Sequence, residues 1–179
     1  MAFGRPASLV DIETLLGYIP ALAGMPPKDR DAILNSARVR DAAAGTAITR
    51  RGEASNAAFF VLGGRVVAGV TTGEGANQTL STMTAGDLFG EIAALTGSVR
   101  TADVVAEEDA TLLEVPAETL RRLMAIPDFS QIVHGKMSER LARTASIADL
   151  PRFGGIDQAA LRQLRAESAS STEEVAGTA

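Results

Sequence analysis

Glu91 and Arg100 are the residues of this chain whose types and spacing could do recognisable chemistry. Glu91 sits in the run Phe89-Gly90-Glu91-Ile92-Ala93-Ala94-Leu95, and nine positions after it Arg100-Thr101-Ala102 begins. A glycine lets the backbone approach a ligand closely. A short helix starting there would point unpaired N–H groups at an anion. A carboxylate in its first turn can accept a hydroxyl proton, and a guanidinium can fork onto a phosphate. A lone Gly-Glu pair would mean nothing. Together these residue types could serve an anion that also carries hydroxyls.

These side chains must be held by a scaffold, and the chain's texture says which kind. Ser8–Leu16 reads as a short helix capped by Ser8 with acids in its first turn, after a loose residues 1–7. Lys28–Arg38 reads as a second helix, with Ala32, Ile33 and Ala37 facing inward. From Val39 to Val115 short apolar runs alternate with glycines: 47–49, 59–62, 66–70, 79–83, 102–106 and 111–115. Many short strands broken by glycine predict an antiparallel roll or barrel. Beyond it, Pro116 stands at a first helical position, 117–126 is helical in pattern, and Pro127-Asp128 opens another helix. Val133, Met137, Leu141, Ala145 and Ala148 form one apolar stripe along that last helix.

The run from Phe89 to Ala102 resembles the phosphate-binding cassette of cyclic nucleotide-binding domains, whose pattern reads F-G-E-x-A-L-L, a short loop, then R-[TSA]-A. The resemblance extends outward through Ala44-Gly45, Arg51-Gly52-Glu53, Phe59-Phe60-Val61, Gly64-Arg65-Val66 and Gly86-Asp87, over about residues 19–145. It implies a mainly β fold with flanking helices: an antiparallel β-roll of the double-stranded β-helix or jelly-roll type, with N-terminal helices and a C-terminal lid helix, as in CRP and protein kinase A regulatory subunits. It implies cyclic AMP or cyclic GMP as ligand and no other cofactor. Arg100 would neutralise the cyclic phosphate, and Glu91 would accept the ribose 2′-hydroxyl. Gly90, Ile92 and Ala93 would offer backbone N–H groups beside Phe89. Thr101 could bond a syn guanine, or simply start a strand as a β-branched residue. Met83 could line the base pocket or simply fill the core. Ala94 departs from the family's leucine without removing a ligand contact.

The rest of the chain sets limits. With no cysteine there is no disulfide, thiol catalysis or thiolate-ligated metal, and one histidine, His134, gives no histidine metal site. No G-x-S-x-G, Walker loop or other catalytic constellation is present, so no enzyme is expected. The longest uncharged run, Thr14–Pro27, has 14 residues including three prolines. A span needs roughly 20 apolar residues, so no membrane span is expected, and a cytoplasmic location is. A net charge of −5 gives no support to nucleic acid as a partner. Glu107-Glu108-Asp109 reads as a solvated acidic turn, and Arg121, Arg122, Arg140 and Arg143 as exposed helix faces.

Ile19–Met25 resembles Leu150–Ile156, 131 residues later, as though a second copy of the domain were beginning. The expected organisation is a helical extension over 1–18, a cyclic nucleotide-binding domain over 19–149, a short helical segment over 150–166 and a disordered tail over 167–179. Three readings follow. The chain is a sensory module that signals by moving its helix 131–150. Or it is an assembly module with an unused pocket, using that helix against a twin or a partner protein. Or it is the N-terminal fragment of a larger tandem regulator.

Overall fold

The computed structural model describes residues 4–71 and 75–145. The expected segments 150–166 and 167–179, the second copy of the repeat, Ala148 and the last turn of the helix expected over 131–150 lie outside the described residues.

Short strands dominate. They are β1 (Arg5–Pro6), β2 (Arg38–Ala42), β3 (Ala47–Thr49), β4 (Ala57–Gly63), β5 (Arg65–Thr71), β6 (Asn77–Thr84), β7 (Leu88–Phe89), β8 (Asp103–Ala106) and β9 (Ala110–Pro116). The helices are α1 (Leu9–Tyr18), α2 (Pro27–Ser36), α3 (Glu91–Thr96), α4 (Ala117–Leu123) and α5 (Pro127–Ala145), with one 3₁₀ turn at Pro20–Leu22. Among the described residues the strands form two sheets, ordered β1-β2-β9-β4-β7 and β3-β8-β5-β6, and every pairing is antiparallel. This is the expected roll with helices beside it.

The sequence of β4 explains the layering. Successive strand residues point to opposite faces. Phe59 and Val61 enter the core between the sheets, with Val66, Met83, Phe89, Val104 and Leu112. Ala58, Phe60 and Leu62 enter the core between the five-stranded sheet and the helices, with Ile12, Leu15, Ile33, Leu120, Phe129, Val133 and Met137. A strand covered on both faces reads as one continuous apolar run, which is why 59–62 has no polar alternation. Gly64 follows at φ 79, where a Cβ would lie 2.2 Å from Asp109 O. The turn into β5 therefore needs glycine.

Three local readings change. Residues 4–7 are not loose: Arg5 pairs with Val39, Ala7 is buried, and the Arg5 guanidinium holds Asp11 at 2.7 Å. Asp11 also closes a capping box with Ser8, anchoring the start of α1. The second helix ends at Ser36, because Arg38–Ala42 pairs with β9 over Arg38↔Glu114 to Ala42↔Ala110. Its charged residues leave only Val39 and Ala42 buried, three positions apart and so on opposite faces, and no alternation shows. Helix α4 stops at Leu123, with Pro116 serving as its cap and not as its first residue. No helix among the described residues is long and apolar enough to cross a membrane.

Candidate functional site

A cleft of about 570 Å³ of empty space, continuous with solvent, opens between the four-stranded sheet, α3 and α5. All eight residues expected to bind ligand line it: Met83, Phe89, Gly90, Glu91, Ile92, Ala93, Arg100 and Thr101.

Three chain segments converge on the cleft. First, β7 pairs with β4 through Phe59↔Phe89, and the two rings stack at 5.1 Å. That pairing fixes where the chain leaves the sheet. Gly90 then takes φ 75 and α3 begins at Glu91. The first intrahelical bond runs from Ala94 N–H to Gly90 O at 3.1 Å. Glu91, Ile92 and Ala93 thus precede the helix's own bonding ladder.

Second, the loop after α3 is fastened to the turn 51–53. Arg100 N–H donates to Glu53 O at 2.8 Å, Gly52 N–H donates to Arg100 O at 2.9 Å, and Arg51 N–H donates to Asp103 Oδ1 at 2.8 Å. The Arg51-Gly52-Glu53 turn is thereby a clamp on the Arg100 backbone. The Arg100 side chain is 4% exposed. Its Nη1 donates to Gly90 O at 3.0 Å, and its Nη2 donates to Ala57 O at 2.8 Å and Ser55 Oγ at 2.5 Å. Its Nε is buried and has no partner. The guanidinium lies 5.7 Å from the Phe59 ring centre. No carboxylate pairs with it among the described residues; Glu91, Glu114 and Glu53 act on it only through space. Burial pulls its pKa below the usual arginine range, and those carboxylates oppose the pull. A Cβ on Gly90 would lie 2.2 Å from Arg100 Nη1, so glycine is required here twice over, for φ and for space.

Third, α5 lies across the opening. Val133 and Met137 are buried under it, as the apolar stripe predicts. On the same side, Lys136 Nζ reaches Asp87 at 2.5 Å, Arg140 Nη1 reaches Glu91 at 2.6 Å, and Arg143 Nη1 donates to Leu80 O at 3.3 Å. Arg140 Nη2 also donates to Met83 Sδ at 3.4 Å. Arg140 lines the cleft and is mostly buried, which corrects its reading as an exposed helix face; Arg143 borders the cleft too but is exposed as read. Lys136, Arg140 and Arg143 recur at four- and three-residue steps beside the apolar stripe, and that spacing was the signal available in the sequence. Arg121 and Arg122 do lie at the surface, the latter paired with Asp29. Glu107 and Glu108 are exposed as read, and both pair with Arg65.

The cleft's carboxylate is also buried. Glu91 is 1% exposed. Burial pushes its carboxyl above the usual range; the charge and hydrogen bond of Arg140 and the charge of Lys136 pull it back only in part. Asp87 differs: burial raises it too, but Lys136 and the Thr84 N–H outweigh burial and hold it low. The arrangement offers a buried cation, a buried acceptor for hydroxyl protons and an apolar wall, all facing one space.

Comparisons with known proteins agree with the fold. Residues 39–126 match the family model of the cyclic nucleotide-binding domain. No curated protein sequence matches the chain. Among solved structures, PKAR CBD2 bound to Sp-2Cl-cAMPS is 23% identical, with a TM-score of 0.62 over 78% of this chain and 90% of that one. The regulatory domain of Toxoplasma gondii PKA with cAMP is 26% identical, with a TM-score of 0.60 over 71% of this chain and 48% of that one. The regulatory subunit of a cAMP-independent protein kinase A from Trypanosoma brucei is 19% identical, with a TM-score of 0.62 over 75% of this chain and 49% of that one. The chain thus spans about half the length of the latter two. The roll, its two sheets and its flanking helices are the fold these structures share, and through residues 39–126 the chain belongs to the cyclic nucleotide-binding domain family.

Proposed function

We propose that this domain is a sensory module that binds a 3′,5′-cyclic nucleotide, cyclic AMP or cyclic GMP, in the cleft and reports occupancy through α5. The observation that carries the reading is Arg100: a residue 4% exposed, with a partnerless Nε and, among the described residues, no carboxylate in contact. A buried charge without a counter-charge is costly, and a singly charged cyclic phosphate beside it would offset that cost. Fold alone would not support this, because a chain of the same fold belongs to a cAMP-independent kinase. The side chains are what support the reading.

In this reading Arg100 takes the phosphate, together with the backbone N–H groups of Gly90, Ile92 and Ala93. Glu91 accepts the 2′-hydroxyl and rejects ligands that lack it. Thr101, Met83 and Phe89 meet the sugar and base, and a threonine there leans toward tolerance of guanine. The ligand can act on α5 only through unequal affinity for docked and undocked positions of that helix. An attached output domain, a twin or a kinase subunit would read the change, and the cytosol is the compartment where such ligands are met.

Millimolar cyclic AMP or cyclic GMP should raise the melting temperature. Hydrogen exchange should slow across residues 131–145 on binding and change far less across Phe59–Leu62. Absence of a thermal shift with both ligands would remove the sensory reading. Uniform protection across the molecule would remove the helix mechanism alone.

A further inference from the structure

Seven polar or charged residues are buried among those described. Five are satisfied. The carboxylates of Asp11, Asp29 and Glu91 each meet an arginine, and the hydroxyls of Ser98 and Thr119 each meet another hydroxyl, at 2.7 and 2.8 Å. Two keep a polar atom unmatched. One is Arg100, through its Nε. The other is Thr49, which is 5% exposed and makes no side-chain hydrogen bond among the described residues. Both line the same cleft. Buried polar groups are rarely left without a partner, so two in one place point to a ligand that supplies it.

Sheet register says where Thr49 stands. Thr49 lies opposite Val104, Val104 opposite Ala68, and Ala68 opposite Ser81. Directly opposed residues share a face, and all four line the cleft, so this row is its floor. Two residues further on, the same face carries Ala106, Val66 and Met83. That inner row is buried and wholly apolar, as a core requires. The outer row differs: hydroxyls stand at its two ends, with only Val104 and Ala68 between them. Threonine has the branched shape of valine, so packing explains its methyl group and not its hydroxyl. Val104 also stands four positions beyond Arg100, on the order of 13 Å along an extended chain. The segment from Thr49 to Glu53 runs beside that span, facing Val104 at one end and bonding the Arg100 backbone at the other. A ligand held by its phosphate at Arg100 therefore reaches the row with its far end, the ring.

We propose that Thr49 is a specificity-determining residue: its hydroxyl bonds the polar edge of the ligand's ring. The cleft then selects a heterocycle with ring nitrogens or an amino group at that edge, and not merely a flat ring of the right size. This rests on the reading of Arg100 as the phosphate contact. Val104 and Ala68 are small enough to let the ring lie against the floor, and Thr49 meets it at one end. In the open cleft, water serves the hydroxyl. A ligand that seals the floor removes that water, so one without a matching polar edge strands the hydroxyl and is bound more weakly.

The test uses the full chain, the variants Thr49→Val and Thr49→Ser, and two ligands. One is cyclic AMP. The other is benzimidazole riboside 3′,5′-cyclic monophosphate, which keeps the phosphate, the sugar and the two-ring shape. It has no nitrogen in its six-membered ring and no amino group. Calorimetric titration of the wild type should show a preference for cyclic AMP. In Thr49→Val that preference should shrink by roughly three- to ten-fold, the worth of one neutral hydrogen bond. The change should come from weaker binding of cyclic AMP, with the benzimidazole ligand held as well as before or better. Thr49→Ser keeps a hydroxyl and should retain the preference. The melting temperature of ligand-free Thr49→Val should not fall, because the hydroxyl has no protein partner to lose. A preference unchanged in Thr49→Val would overturn the proposal while leaving the phosphate reading in place. Equal weakening of both ligands, with a lower melting temperature, would make Thr49 a structural residue and overturn it too. If the wild type binds neither ligand, the phosphate reading falls and takes this contact with it.

Discussion

Arg100 and Arg140 face the same cleft and are held in opposite ways. Arg100 belongs to the frame. Its backbone is laddered to the turn 51–53, its Nη groups are spent on carbonyls and a hydroxyl, and it has no anionic partner in contact among the described residues. Arg140 belongs to a single helix and is satisfied by a carboxylate across the cleft. The frame therefore presents an uncompensated cation, and the helix presents a compensated one. An anion has reason to settle against the first, whereas the second gives the helix a reason to stay. Recognition and response are separated by which charge already has its counter-charge.

The largest effect should come from the frame itself. Phe60 is fully buried and packs 6.1 Å from Phe129 of α5. Phe60→Ala should lower unfolding free energy by about 3–5 kcal/mol in urea or thermal denaturation, loosening both walls together. A loss below about 1 kcal/mol would mean that β4 is not the shared support of the two regions.

Arg100→Gln separates the walls. It should weaken cyclic nucleotide binding by about 1.5–3 kcal/mol, read by competition with a fluorescent cyclic nucleotide. Folding should suffer little, because removing the charge also removes a buried charge that lacks a counter-charge. Equal loss of stability and affinity would show that the arginine is structural.

A smaller effect sharpens the frame's part in ligand choice. Thr101→Ala should weaken cyclic GMP more than cyclic AMP by about 1 kcal/mol, the value of one neutral hydrogen bond. Equal weakening of both would make Thr101 a strand residue only.

The smallest effect lies away from both walls and serves as their control. Asp11 is held at about 2, below its ordinary 3.8, chiefly by Arg5. A carboxyl lowered by folding stabilises at pH above its unfolded value and loses that contribution as pH falls through its folded value. Asp11→Ala should thus cost about 1 kcal/mol or less near neutrality, the scale of a helix cap. The gap from wild type should narrow between about pH 4 and about pH 2, with ligand affinity untouched. A gap that persists at the acid end would show that Asp11 acts through packing and not through its charge.

The sequence showed the site better than its surroundings, for physical reasons. Gly90, Glu91 and Arg100 are legible because they fall together in the run that resembles the family's cassette, and the structure shows a local demand behind each: positive φ with no room for a Cβ, a buried acceptor, a buried cation. The run 59–62 is legible because a strand covered on both faces must be apolar throughout. Strand β2 was missed because, beside Arg38, Arg40 and Asp41, its two buried apolar residues, Val39 and Ala42, face opposite cores and give no period-2 pattern. Strand β1 is too short to have a period, and its position comes from pairing with β2. Arg140 was read as a surface residue because a helical pattern gives a face but not what lies opposite. Its partner Glu91 is 49 positions away in sequence, and no local rule connects them.

Calorimetric titration of the wild-type chain with cyclic AMP and with cyclic GMP tests the central claim most directly. The account predicts saturable heat at one site per chain with at least one of them, and a dissociation constant in the micromolar range or tighter, about −8 kcal/mol or more favourable. No binding heat from either nucleotide at millimolar concentration, at two temperatures so that a vanishing enthalpy is not mistaken for absence, would contradict it.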